Sequence, residues 1–481
     1  MLAHCAKQTI APASTLVTGE TCARLHYLVS GTFNTVFLYL LAFSPYSNPP
    51  TLTVEHALRA EGPHQFLALN EARDRVYATT WAQPPSLSSW KLNPAGLELE
   101  HLNTVPISAT GSYLAVLPPR LADALEVVDA PRLYQAGGPV AQTFALDPAS
   151  GEIADQLAQE IYLDGGVDEL WDPDTDRTRV ALRYGSHAVD LDPVHQRAYV
   201  PHVGRDSIFV YRIRPRDGVL ERLGEVPTYG RIGHEGPRHS IPSRDGNKLY
   251  VVTEHTSYLD VYDVVEASPY LVHAQRLSVI PRALDPARDR YRGDTLRLSR
   301  DGRRLYVTTR GKTPTERGFV SVWTVAASDG AIVESTDGDD DDAAEPQGYG
   351  ALSRYETATS GGKANAIEVF PFGPARRPRR DEDDNEEKDG GGGGGGGAGT
   401  GTTTTTTTRE WIALTDDEAG WVTVLEWRQG EPPGSSSSRS SPGGGGGAGV
   451  LVEVAKVQLG AQDGAEPDEQ GTGASHAVWL S

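Results

Sequence analysis

Four residues with ionisable side chains stand where short apolar runs of the sequence begin or end. His187 opens the run in YGSHAVDLDP and Arg238 opens the run in EGPRHSIPSRDG, whereas Glu254 ends LYVVTEH and Arg310 ends LYVTTRG. Guanidinium groups bind carboxylates bidentately, and imidazole or carboxyl groups can transfer a proton near neutral pH. If the fold brings them together, the four side chains predict a site that holds an anionic substrate and exchanges a proton with it.

Each of these residue types also has a common structural role. A single histidine near a strand start often packs in the interior, a glutamate pairs with a neighbouring charge, and an arginine joins loops. The combination of two arginines, one carboxylate and one imidazole is more informative than any member alone. It supports a site, provided that the surrounding elements converge.

A repeated sequence segment indicates which secondary-structure elements surround the four residues. The segments ARDRVYATTW, PVHQRAYVPHV, SRDGNKLYVVTEH and SRDGRRLYVTTRG share a polar turn, a small or apolar residue, a tyrosine and a β-rich run. The aligned tyrosines are Tyr77, Tyr199, Tyr250 and Tyr306, so two successive spacings are 51 residues (250 minus 199) and 56 residues (306 minus 250). Weaker copies occur at Tyr27, Tyr113 and Trp411, which gives seven units.

Repeats of about 50 residues, rich in short strands and almost without helical periodicity, predict an all-β, seven-bladed β-propeller. The repeated aromatic residues are expected to pack inside the blades. Because propeller sites lie near the central channel, we expect His187 and Arg238 at the beginning of inner strands and Glu254 and Arg310 at the end of inner strands. The last segment, ASHAVWLS, is predicted to pair with N-terminal strands and to close the ring.

Low-complexity segments interrupt the propeller pattern. Runs of Gly, Thr, Ser and acidic residues cannot bury enough apolar surface to fold. We therefore predict disordered loop insertions near residues 335–348, 374–409 and 432–449. Residues 1–24 are predicted to be a poorly ordered extension, and residues 25–481 a single propeller.

Composition limits the partners and the compartment. The chain of 481 residues has a formal charge of −21, but thirteen acidic residues lie in two runs, six in DGDDDDAAE and seven in DEDDNEEKD. No long basic stripe with interleaved aromatic residues occurs, so no nucleic-acid partner is expected. Polar residues break the apolar run from Tyr27 to Phe43, which favours buried strands over a membrane span. The only cysteines, Cys5 and Cys22, cannot form a disulfide framework for the chain, which favours a reducing, cytoplasmic compartment.

Several stretches of the sequence resemble the fungal 3-carboxy-cis,cis-muconate cyclases, also called carboxymuconate lactonizing enzymes, which are seven-bladed propellers of the lactonase-like group. The clearest are GSHAVDLDP, GPRHSIPSRDGNKLYVVTEH, YRGDTLRLSRDGRRLYVTTRG, TSGGKANAIEVFPF and WIALTDDEAGWVTVLEW. The likeness runs, with gaps, from about HYLVSG to the C-terminus. The family's four proposed active-site positions fall on His187, Arg238, Glu254 and Arg310, and all four residue types match.

The resemblance implies a cofactor-free cycloisomerisation in the catabolism of aromatic acids through protocatechuate, the β-ketoadipate pathway. One carboxylate of a small tricarboxylate, 3-carboxy-cis,cis-muconate, would add across a double bond and give 3-carboxymuconolactone. Arg238 and Arg310 would hold carboxylates. Either His187 or Glu254 would give the proton, and a protonated imidazole is favoured because a carboxyl group would need a raised pKa.

Arg292 in YRGD also matches the family and is a further candidate for substrate binding, with an ion pair to Asp294 or a loop contact as its alternative role. The chain departs from the family at His239, where the family has an aromatic residue, and at Lys363, where it has a histidine. Zinc-ligand spacing and a phosphate-binding loop are absent from the sequence, so no metal and no cofactor are expected. The acidic residues 416–418 are interpreted as a β-turn. A homo-oligomer is compatible with the sequence.

Two other functions stay open at this point. One is a propeller lactonase that hydrolyses a sugar-derived lactone with an activated water. The other is a propeller without enzymatic activity that binds partners on one face. The four matching site residues favour an enzyme, because a scaffold does not need a proton donor and two anion-binding arginines in one channel.

Overall fold

The computed structural model describes residues 25–93, 97–127, 130–163, 174–230, 234–335, 348–372, 409–429, 449–460 and 472–480. The predicted N-terminal extension, which holds both cysteines, and most of each predicted insertion lie outside the described residues. The expectations that depend on them stay predictions. Among the described helices, none has the length and apolar composition needed to cross a bilayer.

The strands follow one another in short meanders. In chain order they are β1 (His26–Thr32), β2 (Phe37–Ser44), β3 (Thr51–Arg59), β4 (Leu67–Leu69), β5 (Arg75–Thr80), β6 (Ser86–Asn93), β7 (Glu98–Pro106), β8 (Tyr113–Val116), β9 (Arg132–Gly137), β10 (Val140–Leu146), β11 (Ile153–Tyr162), β12 (Asp190–Asp192), β13 (Arg197–His202), β14 (Ser207–Ile213) and β15 (Leu220–Pro227). They continue with β16 (Pro237–Pro242), β17 (Lys248–Thr253), β18 (Tyr258–Val264), β19 (Leu271–Ser278), β20 (Tyr291–Leu298), β21 (Arg304–Gly311), β22 (Phe319–Val325), β23 (Ile332–Val333), β24 (Ser353–Glu356), β25 (Ile367–Val369), β26 (Arg409–Thr415), β27 (Trp421–Gln429), β28 (Gly449–Gln458) and β29 (Ala474–Trp479). The described helices are α1 (Pro119–Ala124) and two 3₁₀ segments, Arg179–Arg183 and Arg282–Arg290.

These strands form seven antiparallel sheets, which are the blades of a β-propeller. Six blades take consecutive strands, from β4–β7 to β25–β28, and β24 adds to β22 in the blade that begins at β20. The innermost strands contact one another around the ring: β29, β4 and β8 in turn, and β12, β16, β20, β25 and β29 in turn. Between β8 and β12 the Tyr113 hydroxyl donates to Asp190 at 2.8 Å. The predicted all-β, seven-bladed fold is confirmed.

The ring is closed by the C-terminal strand. β29 lies beside β1 as the innermost strand of the first blade, with Leu28 opposite Trp479 and Thr32 opposite Ala474. The predicted pairing of ASHAVWLS with an N-terminal strand is confirmed. Both ends of the described chain therefore share one blade, and closure leaves fewer exposed strand edges.

The repeated aromatic residues lie in the second strand of the blades and are buried. The tyrosines of β5, β13, β17 and β21 are each at most 1% exposed. One assignment is wrong: Tyr113 lies in the inner strand β8, and the equivalent position in its blade is Tyr134 of β9. The phrase APRLYQAG lacks the polar turn of the other copies, so the repeat was not visible there.

Apolar side chains fill the spaces between neighbouring blades. One cluster joins the blade of β16–β19 to the blade of β20–β23 and contains Tyr250, Val252, Leu259, Leu296, Leu305 and Trp323. Each of these six side chains is fully buried. Such packing fixes the relative positions of the inner strands, which carry the candidate residues to the channel.

Candidate active site

The predicted residues converge at one mouth of the channel. His187 lies three residues before the start of β12, and Arg238 is the second residue of β16. Glu254 follows β17, and Arg310 lies near the end of β21. The expectation that Glu254 and Arg310 end inner strands is wrong, because both lie at the ends of second strands. A second strand runs antiparallel to the inner strand, so its end lies where the inner strand begins.

Two further residues reach the same mouth from β20. Arg292 is paired in register with Arg310, and Asp294 lies two residues further along the strand. Between them, Gly293 allows a close approach: a Cβ atom there would lie 2.3 Å from the Thr253 carbonyl oxygen. The Gly293 amide donates to the Glu254 carbonyl at 3.0 Å. β20 therefore lies directly against the end of β17.

Glu254 is the centre of an ion-pair network. Its Oε2 accepts from Arg238 Nη1 at 2.9 Å. Its Oε1 accepts from Arg292 Nη1 at 2.9 Å and from Arg310 Nη2 at 3.2 Å. The Glu254 side chain is 3% exposed, so this carboxylate holds three guanidinium groups in a site largely closed to water.

Arg238 links Glu254 to the other members of the site. Its Nε donates to Asp294 Oδ1 at 2.9 Å, and its Nη1 lies 3.0 Å from His187 Nε2. A guanidinium has only donors, so His187 Nε2 is the acceptor and the imidazole proton lies on Nδ1. The alternative role predicted for Arg292, an ion pair with Asp294, is wrong: Arg292 pairs with Glu254, and Asp294 with Arg238.

Burial and neighbouring charges set the protonation states. Burial, followed by the charge of Arg238, lowers the pKa of His187 to about 3. For Glu254, burial alone raises the pKa, but the charges of Arg238 and Arg310 outweigh it and hold the pKa below its ordinary value. At neutral pH His187 is therefore neutral and Glu254 is ionised. A protonated His187, as favoured from the sequence, requires negative charge that the protein itself does not supply.

The arginines have hydrogen-bonding capacity left for an anion. Arg292 uses one N–H for Glu254, and its side chain is 34% exposed. Arg310 donates from Nη1 to the Gly362 carbonyl at 3.1 Å, while its buried Nε has no hydrogen-bond partner within the described part of the chain and lies 3.7 Å from Asp294. Three guanidinium groups face two carboxylates, so the cluster has one positive charge in excess. This arrangement favours a negatively charged ligand.

Aromatic rings fill the middle of the channel below this site. Phe66 stacks on His476 at 4.0 Å and on Tyr113 at 4.2 Å, and Tyr113 meets His239 edge-on at 5.1 Å. The gap beside Arg238 has a volume of only about 10 Å³. On the far side of the rings lies a cavity of about 710 Å³, lined near the ends of the inner strands. The four candidate residues do not line it.

The acidic residues 416–418 and Lys363 pair with groups other than the candidate residues, although Lys363 directly follows Gly362, whose carbonyl accepts from Arg310. The Asp416 carboxylate accepts from the Glu418 amide at 2.9 Å, Lys363 Nζ lies 3.2 Å from Asp417, and Glu418 accepts from the Ser360 amide at 2.9 Å. The three carboxylates thus take different partners. Within the described ranges, no group of three His, Cys, Asp or Glu residues is arranged to hold a metal ion.

Sequence reasoning missed Asp294 as a member of the site. Arg292 and Asp294 are two residues apart, a spacing that places both side chains on one face of a strand and was the available signal. Sequence alone did not reveal that Asp294 would pair across blades with Arg238, because that contact depends on the position of β16 beside β20.

One part of the chain matches a described family, and solved structures match the fold. Residues 173–337 match the family described as lactonase, 7-bladed beta-propeller. The periplasmic gluconolactonase of Pseudomonas aeruginosa superimposes with a TM-score of 0.62 at 15% identity, covering 95% of this chain and 99% of that one. A putative 6-phosphogluconolactonase from Bacteroides fragilis gives 0.59 at 13% identity, over 96% and 100%. At these identities the structures support the fold alone.

Two relatives are similar to this chain in sequence, and their names describe enzymes. Muconate cycloisomerase 1 of Cutaneotrichosporon cutaneum is 29% identical over 347 residues, which cover 72% of this chain and 83% of that protein. A 6-phosphogluconolactonase of Pectobacterium carotovorum is 27% identical over 188 residues, 39% of this chain and 53% of that protein. The resemblance to a cyclase of the lactonase-like seven-bladed propellers, drawn from the sequence, is therefore confirmed.

Proposed function

We propose that this protein is a cofactor-free cycloisomerase that converts 3-carboxy-cis,cis-muconate to 3-carboxymuconolactone. One observation carries the proposal: three arginines converge on Glu254 beside a buried histidine, with a net positive charge. A substrate with three carboxylates needs several cations to offset its internal repulsion. The relatives named for lactonase and cycloisomerase activity support an enzyme that forms or opens a lactone.

The chemistry requires positioning and one proton. A carboxylate oxygen of the substrate adds to an alkene carbon, a C–O bond forms, and the π electrons move to the adjacent carbon, which takes a proton. Arg292 and Arg310 bind substrate carboxylates and hold the attacking oxygen near the alkene. Glu254 keeps the guanidinium groups aligned, which makes it a positioning residue.

His187 is the proposed proton donor. Burial and then the charge of Arg238 keep it neutral in the protein alone. Substrate carboxylates placed against the arginines offset that positive charge and raise the pKa of His187, so that its Nε2 gains a proton as the substrate binds and gives up the hydrogen bond from Arg238. Glu254, held ionised by its arginines, is a poorer acid in this geometry. His187 thus takes up a proton when the substrate binds and transfers it to the substrate carbon as the ring closes.

A lactonase is the second candidate, supported by the 6-phosphogluconolactonase relative. The two reactions differ in proton balance. Cyclisation turns a trianion into a lactone with two carboxylates and takes up one proton. Hydrolysis of a lactone gives a hydroxy acid and releases one proton at neutral pH. The direction of the pH change therefore separates the two functions without product isolation.

The test uses purified protein with 3-carboxy-cis,cis-muconate in the presence of a chelator, with loss of the diene absorbance as the readout. Wild-type protein is expected to consume the diene at an unchanged rate with or without chelator. His187→Gln is expected to lower kcat/KM by about 100-fold or more, the usual contribution of a general acid. Folded wild-type protein that leaves the diene intact would contradict the proposal, as would full activity of His187→Gln.

A matched substrate control addresses the lactonase. Glucono-δ-lactone is added to the same protein, and base consumption is followed at constant pH. The cyclase proposal predicts no hydrolysis above the spontaneous rate. Rapid hydrolysis of this lactone, together with an intact diene in the first assay, would move the assignment to a lactonase.

A further inference from the structure

A second cavity occupies the channel end opposite the arginine site. Its volume is about 710 Å³, within the range of small-molecule sites. Whereas Arg238 and Arg292 lie near the beginnings of β16 and β20, this cavity is lined by Ile241 and Arg297, near the ends of the same strands. We call it the opposite cavity.

The aromatic rings separate the opposite cavity from the arginine site. Phe66 and His476 line both the opposite cavity and the narrow gap beside Arg238. That gap, at about 10 Å³, holds one water molecule at most. A molecule of the size of a substrate cannot pass, so the opposite cavity is a compartment of its own.

Two hydrogen-bond donors of the opposite cavity lack partners among the residues that the structure describes. The Leu67 amide donates to His476 Nδ1 at 3.3 Å, which places the imidazole proton on Nε2. That Nε2 is buried and has no hydrogen-bond partner in the described ranges; Glu368 Oε2 is 3.9 Å away. His476 is 2% exposed, so its unpaired donor is costly in the absence of a ligand.

Arg297 supplies a second set of donors beside the first. Its Nε donates to Glu368 Oε2 at 2.8 Å and its Nη1 to the Leu296 carbonyl at 2.9 Å. Among the described residues Nη2 has no hydrogen-bond partner. Glu368 Oε2 thus lies 2.8 Å from Arg297 Nε and 3.9 Å from His476 Nε2, and each of the two side chains has a donor left. Arg73, which also lines the cavity, donates from one Nη to the Trp479 carbonyl.

Two of the three carboxylates that line the opposite cavity are already engaged. Glu368 accepts from Arg297, and Asp190 accepts from the Tyr113 hydroxyl at 2.8 Å and from the Ser240 amide and hydroxyl at 3.1 and 2.8 Å. The third carboxylate, Glu71, is exposed to solvent, so the free hydrogen-bonding capacity of the buried part of the wall is of the donor kind. The rest of the wall is mostly apolar and includes Leu69, Leu114, Val116, Pro118, Phe372 and Val478.

We propose that the opposite cavity binds a small carboxylate with an apolar body, with the carboxylate on Arg297 and His476 and the body against the apolar wall. The ligand differs in class from the substrate proposed above, which carries three carboxylates and little apolar surface. The opposite cavity is thus a binding site distinct from the catalytic one. This proposal does not depend on the cyclase reaction.

The experiment is calorimetric titration of the full-length protein with benzoate at pH 7. A dissociation constant of about 0.1 to 1 mM is expected for nine non-hydrogen atoms at ordinary ligand efficiency. Acetate, which lacks the apolar body, and benzyl alcohol, which lacks the charge, are each expected to bind at least tenfold more weakly. Benzoate binding that is undetectable, or matched by both analogues, would overturn the proposal.

Two variants locate the site. Leu69→Trp fills part of the cavity and leaves every ion pair in place, and Arg297→Gln removes the free donor; each is expected to weaken benzoate binding at least tenfold. Arg310→Met, on the other side of the aromatic rings, is expected to change it less than twofold. If Arg297→Gln does not fold, the benzoate affinity of Leu69→Trp alone tests the location of the site. Loss of binding in Arg310→Met but not in Leu69→Trp would place benzoate in the arginine site and overturn the proposal.

Discussion

At the scale of single residues, the arginines of the site have unequal structural roles. Arg238 is the ion-pair partner of both Glu254 and Asp294, and its side chain is 6% exposed. Arg310 shares Glu254 with two other arginines. Removing Arg238 therefore leaves Asp294 without its closest cation, whereas removing Arg310 leaves every carboxylate of the site paired.

This difference predicts separable effects on stability and activity. Arg238→Met is expected to cost about 3–5 kcal/mol in the free energy of unfolding, the usual consequence of breaking a buried pair. Arg310→Met is expected to cost less than about 1 kcal/mol while lowering kcat/KM by about 100-fold or more. Urea denaturation and the diene assay measure the two quantities. Equal destabilisation by both variants would make Arg310 structural and the site assignment wrong.

His239 predicts a pH dependence of stability. Burial, followed by the charge of Arg238, lowers its pKa well below the ordinary value of 6.5. As the pH falls below about 6.5, the unfolded chain binds a proton that the folded chain does not, so stability decreases by up to about 1.4 kcal/mol per pH unit. His239→Phe removes this penalty and keeps the ring contacts with Tyr113.

The expected result is that His239→Phe gains stability over the wild type as the pH is lowered from 7.5 to 5.5. Urea unfolding at several pH values measures it, with the exposed His56→Phe as the matched control. The other groups near His239, Arg297 and His476, are unchanged in both variants. A stability difference independent of pH would contradict a neutral, buried His239.

Residue types were predictable from the sequence, but their partners were not. The four candidate residues and Arg292 converge, as the sequence segments that contain them indicated. The exchange of partners, with Arg292 on Glu254 and Arg238 on Asp294, depends on side-chain reach across two blades. The spacing of residues within one segment of the sequence does not determine which carboxylate each arginine pairs with.

At the scale of elements, blade closure depends on β29. This strand supplies the innermost position of the first blade and brings His476 into the channel. Removing residues 474–481 exposes the β1 edge and is expected to abolish folding, measured by circular dichroism and proteolysis. A stable, soluble truncation would refute this role for the strand.

A rearranged chain is the matched control. The end of β29 lies opposite the start of β1, because Trp479 pairs with Leu28. Residues 474–480 placed ahead of residue 25 through a short turn can therefore reach the same position. This variant is expected to fold, and its failure beside a folded wild type would mean that closure needs more than the strand.

The contact between β20 and β17 depends on Gly293. A Cβ atom there would approach the Thr253 carbonyl oxygen to 2.3 Å, a backbone atom that cannot rotate away. Gly293→Ala is expected to cost about 1–3 kcal/mol and to lower kcat by displacing Arg292 and Asp294. Gly224→Ala, whose Cβ would meet the Tyr270 ring at 3.4 Å, is the control with little expected effect. Unchanged kcat and stability in Gly293→Ala would exclude this positioning role.

The strands could be predicted from the sequence where the repeated segment, a polar turn followed by a tyrosine, was complete. A polar turn followed by a tyrosine made four of the second strands visible in the sequence, and three weaker copies completed the count of seven. The blade of β8–β11 was misread at Tyr113, because its second strand begins after Pro131 instead of a polar turn. The assignment of Glu254 and Arg310 to inner strands failed since sequence gives strand order along the chain, not radial position.

At the scale of the whole molecule, the ring divides its channel into two compartments. Inner strands from seven blades converge, rings of Phe66, Tyr113, His239 and His476 fill the middle, and the arginine site and the opposite cavity lie at the two ends. The number of blades was predictable from the repeat. The division of the channel was not, because it arises from side chains of separate blades meeting at the axis.

We propose that the arginine site closes a lactone ring with uptake of one proton. To test this, diene absorbance and a pH indicator are followed together in weakly buffered 3-carboxy-cis,cis-muconate after addition of wild-type protein, with Arg310→Met alongside. One proton is expected to be taken up for each diene lost, at a rate at least 100-fold lower in the variant. Proton release, or diene loss equally fast in Arg310→Met, would contradict it.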